Sequence, residues 1–288
     1  MDLTCEIVDD YDHIENDLEY ILENVLSEEV QRNIDRSEES RNLQQIFNTL
    51  LLNKCECSEE FQPQCSKCIH GANYRYDETF QELVLYSSSN IPDLIYECTH
   101  MCTCNPEKCQ NRLVQFGPRK FLKIVDSAKY RSKGLITTRD IPKGAFICEY
   151  AGELLTIHEA KQILRKNEIE QKMNYVLILK ESCSPSFANS NDKDILTIVN
   201  PSKKGNIGRY LNHSCEPNCQ IISVRIDCPI PKIAIFSRRY INAGEEVCFN
   251  YNEGINYSKI KNTSKNNKIP CLCESKHCLK YLPNSDFL

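Results

Sequence analysis

The sequence contains no run of about 18 apolar residues, the least that would cross a bilayer as a helix, so no membrane span is expected. It has no Lys or Arg before Arg32. A secretory leader opens on a basic stretch followed by an apolar one, a pattern this acidic start does not offer, and a soluble intracellular chain is the expectation. A cationic surplus is missing too: 35 Lys and Arg stand against 40 Asp and Glu, a formal charge of −5. Affinity for the DNA backbone comes from Lys and Arg neutralising phosphates, so direct sequence-specific DNA binding is not expected, whereas an acidic surface suits a basic partner. There is no internal repeat and no alternation of strand and helix patterns, so a parallel α/β sheet is not expected either.

What the chain does hold is cysteine, 18 in 288 residues. Inside a cell thiols stay reduced, and these are bunched at short spacings, which points to metal rather than disulfides. Cys55-x-Cys57, Cys65-x2-Cys68 and Cys98-x3-Cys102-x-Cys104-x4-Cys109 set thiolates at separations that tight turns can converge on tetrahedral zinc. These eight could fill two isolated four-ligand sites, while a cluster of three zincs sharing sulfurs needs nine ligands. A second group, Cys271-x-Cys273-x4-Cys278, offers three, and its fourth ligand must come from elsewhere, Cys215 and His277 being the candidates. Cys5, Cys148, Cys183, Cys219, Cys228 and Cys248 have no partner spacing and read as small buried residues or plain thiols.

Four segments follow from composition. Residues 1–53 carry fourteen Asp and Glu against three Arg, with Ile14, Leu18, Ile21, Leu22, Val25 and Leu26 near helical spacing and a second stripe at Leu43, Ile46, Phe47, Leu50 and Leu51. One or two amphipathic helices are predicted, either packed on the rest or serving as an acidic docking arm. Residues 54–117 are cysteine-rich with little periodic apolar pattern, so metal is expected to substitute for a core. Residues 118–253 hold short apolar runs, at 121–125, 145–150, 175–179 and 233–236, that read as strands. One helix is predicted from Thr156 to Asn167, with Glu159 at the capping-box spacing. Residues 254–288 lead through a polar linker, Asn256 to Lys268, into the last cysteines; Ser182 to Lys193 is a second polar stretch. The fold class is mainly β with short helices.

The segment Arg209-Tyr210-Leu211-Asn212-His213-Ser214-Cys215-Glu216-Pro217-Asn218, preceded by Gly205-Asn206-Ile207-Gly208, resembles the first signature of SET-domain protein-lysine methyltransferases. Gly244-Glu245-Glu246-Val247-Cys248-Phe249-Asn250-Tyr251 resembles the second. Ile141-Pro142-Lys143-Gly144, Glu149-Tyr150-Ala151-Gly152-Glu153 and Asn174-Tyr175 follow the family's order, and the cysteine groups at either end resemble the pre-SET and post-SET segments of the Suv39 type. The resemblance covers roughly Lys54 to Leu288, weakly at 74–95 and 182–195.

This resemblance implies small sheets with a knot-like C-terminal segment, flanked by zinc-bound pre-SET and post-SET segments and a helical N-terminal extension. It implies S-adenosylmethionine as methyl donor, bound by Asn212 and His213 with Arg209 and Tyr210, beside a loop made here by Lys133, Gly134 and Leu135. Tyr251 would position the reacting amine, Tyr175 would line the lysine channel, and both would border the cofactor. Phe249 stands where the family has tyrosine or phenylalanine, and the absent hydroxyl implies di- or trimethylation. Cys215 would join Cys271, Cys273 and Cys278 around one zinc. The implied partner is the histone H3 tail or nucleosome, in the nucleus and on the chromosome.

Several positions depart from the family. Ser132 and Lys133 replace the first glycine and the aromatic residue of the cofactor loop; Asn250 and Asn200 replace acids. The nine-cysteine pre-SET pattern is one short, since nothing stands between Cys57 and Cys65 and Cys68 is displaced by a residue. Either His70 substitutes or a zinc is missing, so two or three pre-SET zincs are expected. An active histone-lysine methyltransferase is the first reading, and a catalytically weakened SET module serving as a chromatin or histone-binding platform is the alternative.

Overall fold

The computed structural model describes residues 11, 15, 17–57, 68–86, 94–181, 195–253 and 269–283 of the 288. Cys5, Ile14, Cys65, Cys183 and the two polar stretches at 182–193 and 256–268 lie outside the described residues.

Two sheets carry the core. The strands Leu94–Tyr96, Cys219–Arg225, Lys232–Ser237 and Phe146–Glu149 form a four-stranded sheet in that order. Its central strands are rich in β-branched and aromatic side chains and are buried along nearly their whole length, as befits a sheet covered on both faces. The second sheet orders Glu19–Tyr20, Ile195–Gly205, Gly152–Leu154 and Val25–Leu26, with Leu177–Glu181 also paired to the long strand. Ile147, Ile233, Ile235, Leu154, Val199, Ile207, Leu211 and Phe249 belong to one continuous buried cluster between them. Each of the four apolar runs named above contains or overlaps a strand: Leu122–Ser127, Phe146–Glu149, Leu177–Glu181 and Lys232–Ser237.

The predicted helix spans Ile157–Ile169. Thr156 accepts from the Glu159 backbone N–H while the Glu159 carboxylate takes the Thr156 N–H, completing the capping box. Ser27 Oγ also donates to Glu159, which ties the N-terminal segment to this helix.

That segment corrects one expectation. The stripe from Leu18 to Leu26 is not helical: Glu19–Tyr20 runs parallel to Lys204–Gly205, and Val25–Leu26 runs parallel to Glu153–Leu154. Both edges of the sheet would otherwise present unpaired N–H and C=O groups, and satisfying them outweighs the weak helical preference of a short stripe. Helices do form further on, at Glu28–Arg32 and Glu38–Phe47, each capped by a serine, and Leu43 and Phe47 pack against the main core. The segment is therefore docked rather than free.

The cysteine-rich segment is corrected too. It has no core of its own, but metal is not its only substitute, because Tyr74, Leu85, Ile95 and Val114 pack onto the four-stranded sheet with Phe146, Ile222 and Phe236. At its centre the fully buried Glu97 carboxylate accepts from the Tyr74 hydroxyl at 2.8 Å, the backbone N–H groups of Leu113, Val114 and Gln115, and the Gln115 side chain. Metal does not hold this segment alone.

Candidate active site

The two signature segments meet in a short parallel ladder, Asn212 opposite Cys248 and His213 opposite Phe249. Asn218 secures the crossing from both sides: its Nδ2 donates to the Glu246 carbonyl at 2.9 Å and its Oδ1 accepts from the Cys248 N–H at 2.8 Å. The Ser214 N–H donates to the Phe249 carbonyl at 3.0 Å. Two chain segments some thirty residues apart are thereby locked together beside a cleft lined by polar and aromatic side chains.

Aromatic rings make one part of the cleft. Phe249 packs edge-on to Tyr150 with ring centres 5.9 Å apart and leans on Tyr251 at 4.9 Å. The Tyr251 hydroxyl donates to the Leu211 carbonyl at 2.8 Å, and the Tyr150 hydroxyl donates to the Tyr175 carbonyl at 2.7 Å. Burial holds the Tyr251 hydroxyl well above its ordinary pKa, so it stays protonated and keeps its direction. Polar groups make another part. The Arg209 guanidinium lies over the Tyr175 ring, 4.5 Å from its centre, donates through Nε to the Pro201 carbonyl at 3.1 Å, and pairs with Glu15 at 3.0 Å.

Asn212 is held by its neighbours. Its Nδ2 donates to Glu246 Oε1 at 2.7 Å and to the Lys133 carbonyl at 3.0 Å, and its Oδ1 accepts from Ser132 Oγ at 3.2 Å. Ser127 Oγ donates to the other Glu246 oxygen at 2.8 Å. A Cβ at position 134 would lie 2.4 Å from Glu246 Oε1, so a larger residue than glycine would push aside the carboxylate that holds Asn212. The Lys133 ammonium turns across its hairpin to Asp126, at 2.6 Å, so the residue offers the cleft its backbone and stem rather than its charge.

Of the residues singled out from sequence, Lys133, Tyr175, Arg209, Tyr210, Asn212, Phe249 and Tyr251 line the cleft. Gly134, Leu135 and His213 stand behind its wall. Leu135 is fully buried, pairs with Ile124 across the hairpin and accepts from the Val247 N–H at 2.7 Å, so it supports the second signature. Asn200 and Asn250 each accept the backbone N–H two residues on, at 3.2 and 3.0 Å, and act as turn formers. Sequence reasoning left out Glu15, Tyr150 and Met173, which line the cleft, and Glu246, which orients Asn212. Tyr150 and Glu246 lie inside recognised motifs and could have been picked up there; nothing local marks Glu15.

His213 connects the cleft to the last cysteine group. Its ring is buried, which lowers its pKa to about 4 and keeps it neutral. Nδ1 accepts from the Tyr251 backbone N–H at 3.2 Å, so the proton sits on Nε2, which faces Cys215 Sγ at 3.3 Å. The sulfurs of Cys215, Cys271, Cys273 and Cys278 all lie within 4.8 Å of one another, with Cys215 and Cys271 3.8 Å apart. Four thiolates about 2.3 Å from a tetrahedral ion would be separated by about 3.8 Å, so the set fits a metal. His277, the other candidate for the fourth position, turns instead to the Glu216 carboxylate.

The pre-SET cysteines gather into three groups among the described residues: Cys55, His70, Cys98 and Cys102; Cys55, Cys57 and Cys68; and Cys98, Cys104 and Cys109. Cys65 lies outside the described residues. Cys148, Cys219 and Cys248 are buried in the sheet region and Cys228 sits against the end of the Glu38–Phe47 helix, as plain side chains would.

A profile of the SET domain matches residues 132–252. The probable histone-lysine N-methyltransferase set-23 of Caenorhabditis briggsae is 36% identical over 233 residues, covering 80% of this chain and 86% of that one. The chain belongs to the SET-domain family of histone-lysine N-methyltransferases. The histone-lysine N-methyltransferase SETMAR of Bos taurus is 35% identical over 226 residues, 77% of this chain and 71% of that one. The crystal structure of the human SETMAR methyltransferase domain superposes with a TM-score of 0.67 at 28% identity, covering 92% of this SET protein and 89% of that chain.

Proposed function

We propose that this SET protein transfers methyl groups to a lysine of the histone H3 tail, on chromatin in the nucleus, and carries the lysine to the di- or trimethyl state. The observation that carries the reading is the Tyr251 hydroxyl, partly buried and fixed on the Leu211 carbonyl where the two signatures cross. S-adenosylmethionine supplies, when bound, a methyl group made electrophilic by its sulfonium.

The residues present suit that donor. Asn174, Arg209, Tyr210 and Asn212 give polar contacts, and Tyr150, Tyr175, Phe249 and Tyr251 give aromatic surface around one cleft. The work left to the protein is to strip water from a lysine amine and hold it in line. An ammonium is disfavoured among apolar walls, and its ordinary pKa near 10.4 must fall before nitrogen can attack. Tyr251, whose hydrogen is committed to Leu211, offers oxygen lone pairs for orienting the amine. Oriented proximity of this kind supplies several kcal/mol of barrier reduction.

Phe249 supports the higher methylation states. It is 1% exposed and presents an edge without a hydroxyl beside Tyr251, which leaves room for a bulkier methylated amine. Zinc is assigned to the Cys215, Cys271, Cys273 and Cys278 set and to the pre-SET groups. The basic H3 tail also agrees with the acidic balance of the chain.

The test is mass spectrometry of H3 tail peptides after reaction. Wild type should accumulate di- and trimethyl-lysine, and Phe249→Tyr should shift the product toward monomethyl-lysine at a similar first-transfer rate. Monomethyl-lysine alone from wild type would overturn the product assignment, and transfer to other histones but not to H3 would overturn the substrate.

A further inference from the structure

The pre-SET segment holds eight cysteines, one fewer than the nine ligands of a three-zinc cluster that shares sulfurs. We infer that His70 is a metal ligand, binding through Nδ1 in a site completed by Cys55, Cys98 and Cys102. The inference rests on the zinc reading of the pre-SET groups given above and extends it to a mixed nitrogen and sulfur site.

Geometry supplies the first argument. His70 Nδ1 lies 3.6 Å from Cys98 Sγ and 4.0 Å from Cys102 Sγ, and Cys55 Sγ lies 3.9 Å from Cys98 Sγ. A tetrahedral zinc with Zn–N of about 2.0 Å and Zn–S of about 2.3 Å places its nitrogen about 3.5 Å from each sulfur and its sulfurs about 3.8 Å from one another. All four donor atoms fall within 4.8 Å of one another and all four residues are buried.

The proton on the ring supplies the second. His70 Nε2 faces the Asn53 carbonyl at 3.3 Å. A carbonyl only accepts, so in the neutral ring Nε2 carries the proton and Nδ1 is bare. That bare nitrogen faces Cys68 Sγ and Cys98 Sγ at 3.6 Å, where it can accept a thiol S–H, or, once the thiols are ionised, share a cation with them. Donation of the second ring nitrogen to a backbone carbonyl is also the usual way a metal-bound histidine is oriented.

Charge supplies the third. Cys55 and Cys98 each belong to two of the pre-SET groups, so this site shares a sulfur with both neighbours and sits among many thiolates. Among the described residues the Arg112 guanidinium is the cation in contact with them, its Nη2 3.5 Å from Cys104 Sγ. A neutral imidazole in place of a thiolate removes one negative charge from a cluster whose thiolates outnumber the positive charges of its metals.

Metal content and cadmium NMR of the full chain test this. Wild type should carry four zinc ions, one for each of the four donor groups. His70→Ala should lose one, and His70→Cys should keep all four. After exchange with cadmium-113, wild type should show scalar coupling from one cadmium to His70 ring protons, absent in His70→Cys. A wild type with four metals but no imidazole coupling, or a folded His70→Ala that keeps four, would overturn the ligand and leave the zinc reading standing. A wild type holding only the post-SET ion would overturn both.

Discussion

The two cysteine assemblies of this SET protein do different work, although both gather thiolates at similar spacings. The pre-SET groups share Cys55 and Cys98 and lie over a small apolar core, with the buried Glu97 tying that core to the segment 113–115. The post-SET group is a single four-cysteine set whose Cys215 belongs to the first signature and touches His213, which in turn holds the Tyr251 backbone. One assembly braces the outer edge of a sheet and the other braces the reaction cleft. Ligand spacing alone does not tell a structural prop from a part of the site; the neighbour of the ligand does.

The comparison predicts a separation of stability from activity, and the largest effect should come from the post-SET side. Cys273→Ser should cost methyl transfer on the order of 100-fold, the scale of a displaced reacting group, at temperatures where the protein remains folded. Equal losses of activity from Cys57→Ser at low temperature would erase the distinction. On the pre-SET side, Glu97→Gln leaves several donors facing an amide and should destabilise by roughly 2–3 kcal/mol, read as a lower denaturation midpoint with transfer per folded molecule unchanged.

A smaller effect should sharpen the boundary just past Tyr251. Burial raises the Glu253 carboxyl to about 7, and its Oε2 has no hydrogen-bond partner among the described residues. The folded protein therefore keeps a proton that the unfolded chain releases near its ordinary value, and that contribution is lost as pH rises through about 7. Glu253→Gln should match wild type in melting temperature at pH 5 and exceed it at pH 8; an unchanged difference across that range would contradict the assignment. Smallest of all, Glu15→Gln removes a half-exposed partner of Arg209 and should change cofactor affinity by no more than about threefold, as calorimetry would show.

Much of this was legible in the residues. Motifs gave the crossing of Asn212 with the Cys248–Phe249 segment, because contiguous residues with a fixed job leave a contiguous record. The capping box of Thr156 and Glu159 and the union of Cys215 with the last three cysteines were legible for the same reason. Residues 18–26 were not, since their apolar spacing suits a helix and only the open edges at Glu153–Leu154 and Lys204–Gly205 make them strands. The side chain of Leu135 is fully buried, a placement that its position in a motif does not reveal. Glu15 reaches Arg209 across 194 positions, a contact that no local pattern encodes.

The most direct test is transfer of labelled methyl from S-adenosylmethionine to histone H3 by zinc-loaded wild type and by Tyr251→Phe, with cofactor binding followed by calorimetry on both. The account predicts labelled H3 with wild type, a loss on the order of 100-fold with Tyr251→Phe, and cofactor binding retained in the variant. Cofactor binding without any transfer by wild type, or full transfer by Tyr251→Phe, would contradict it.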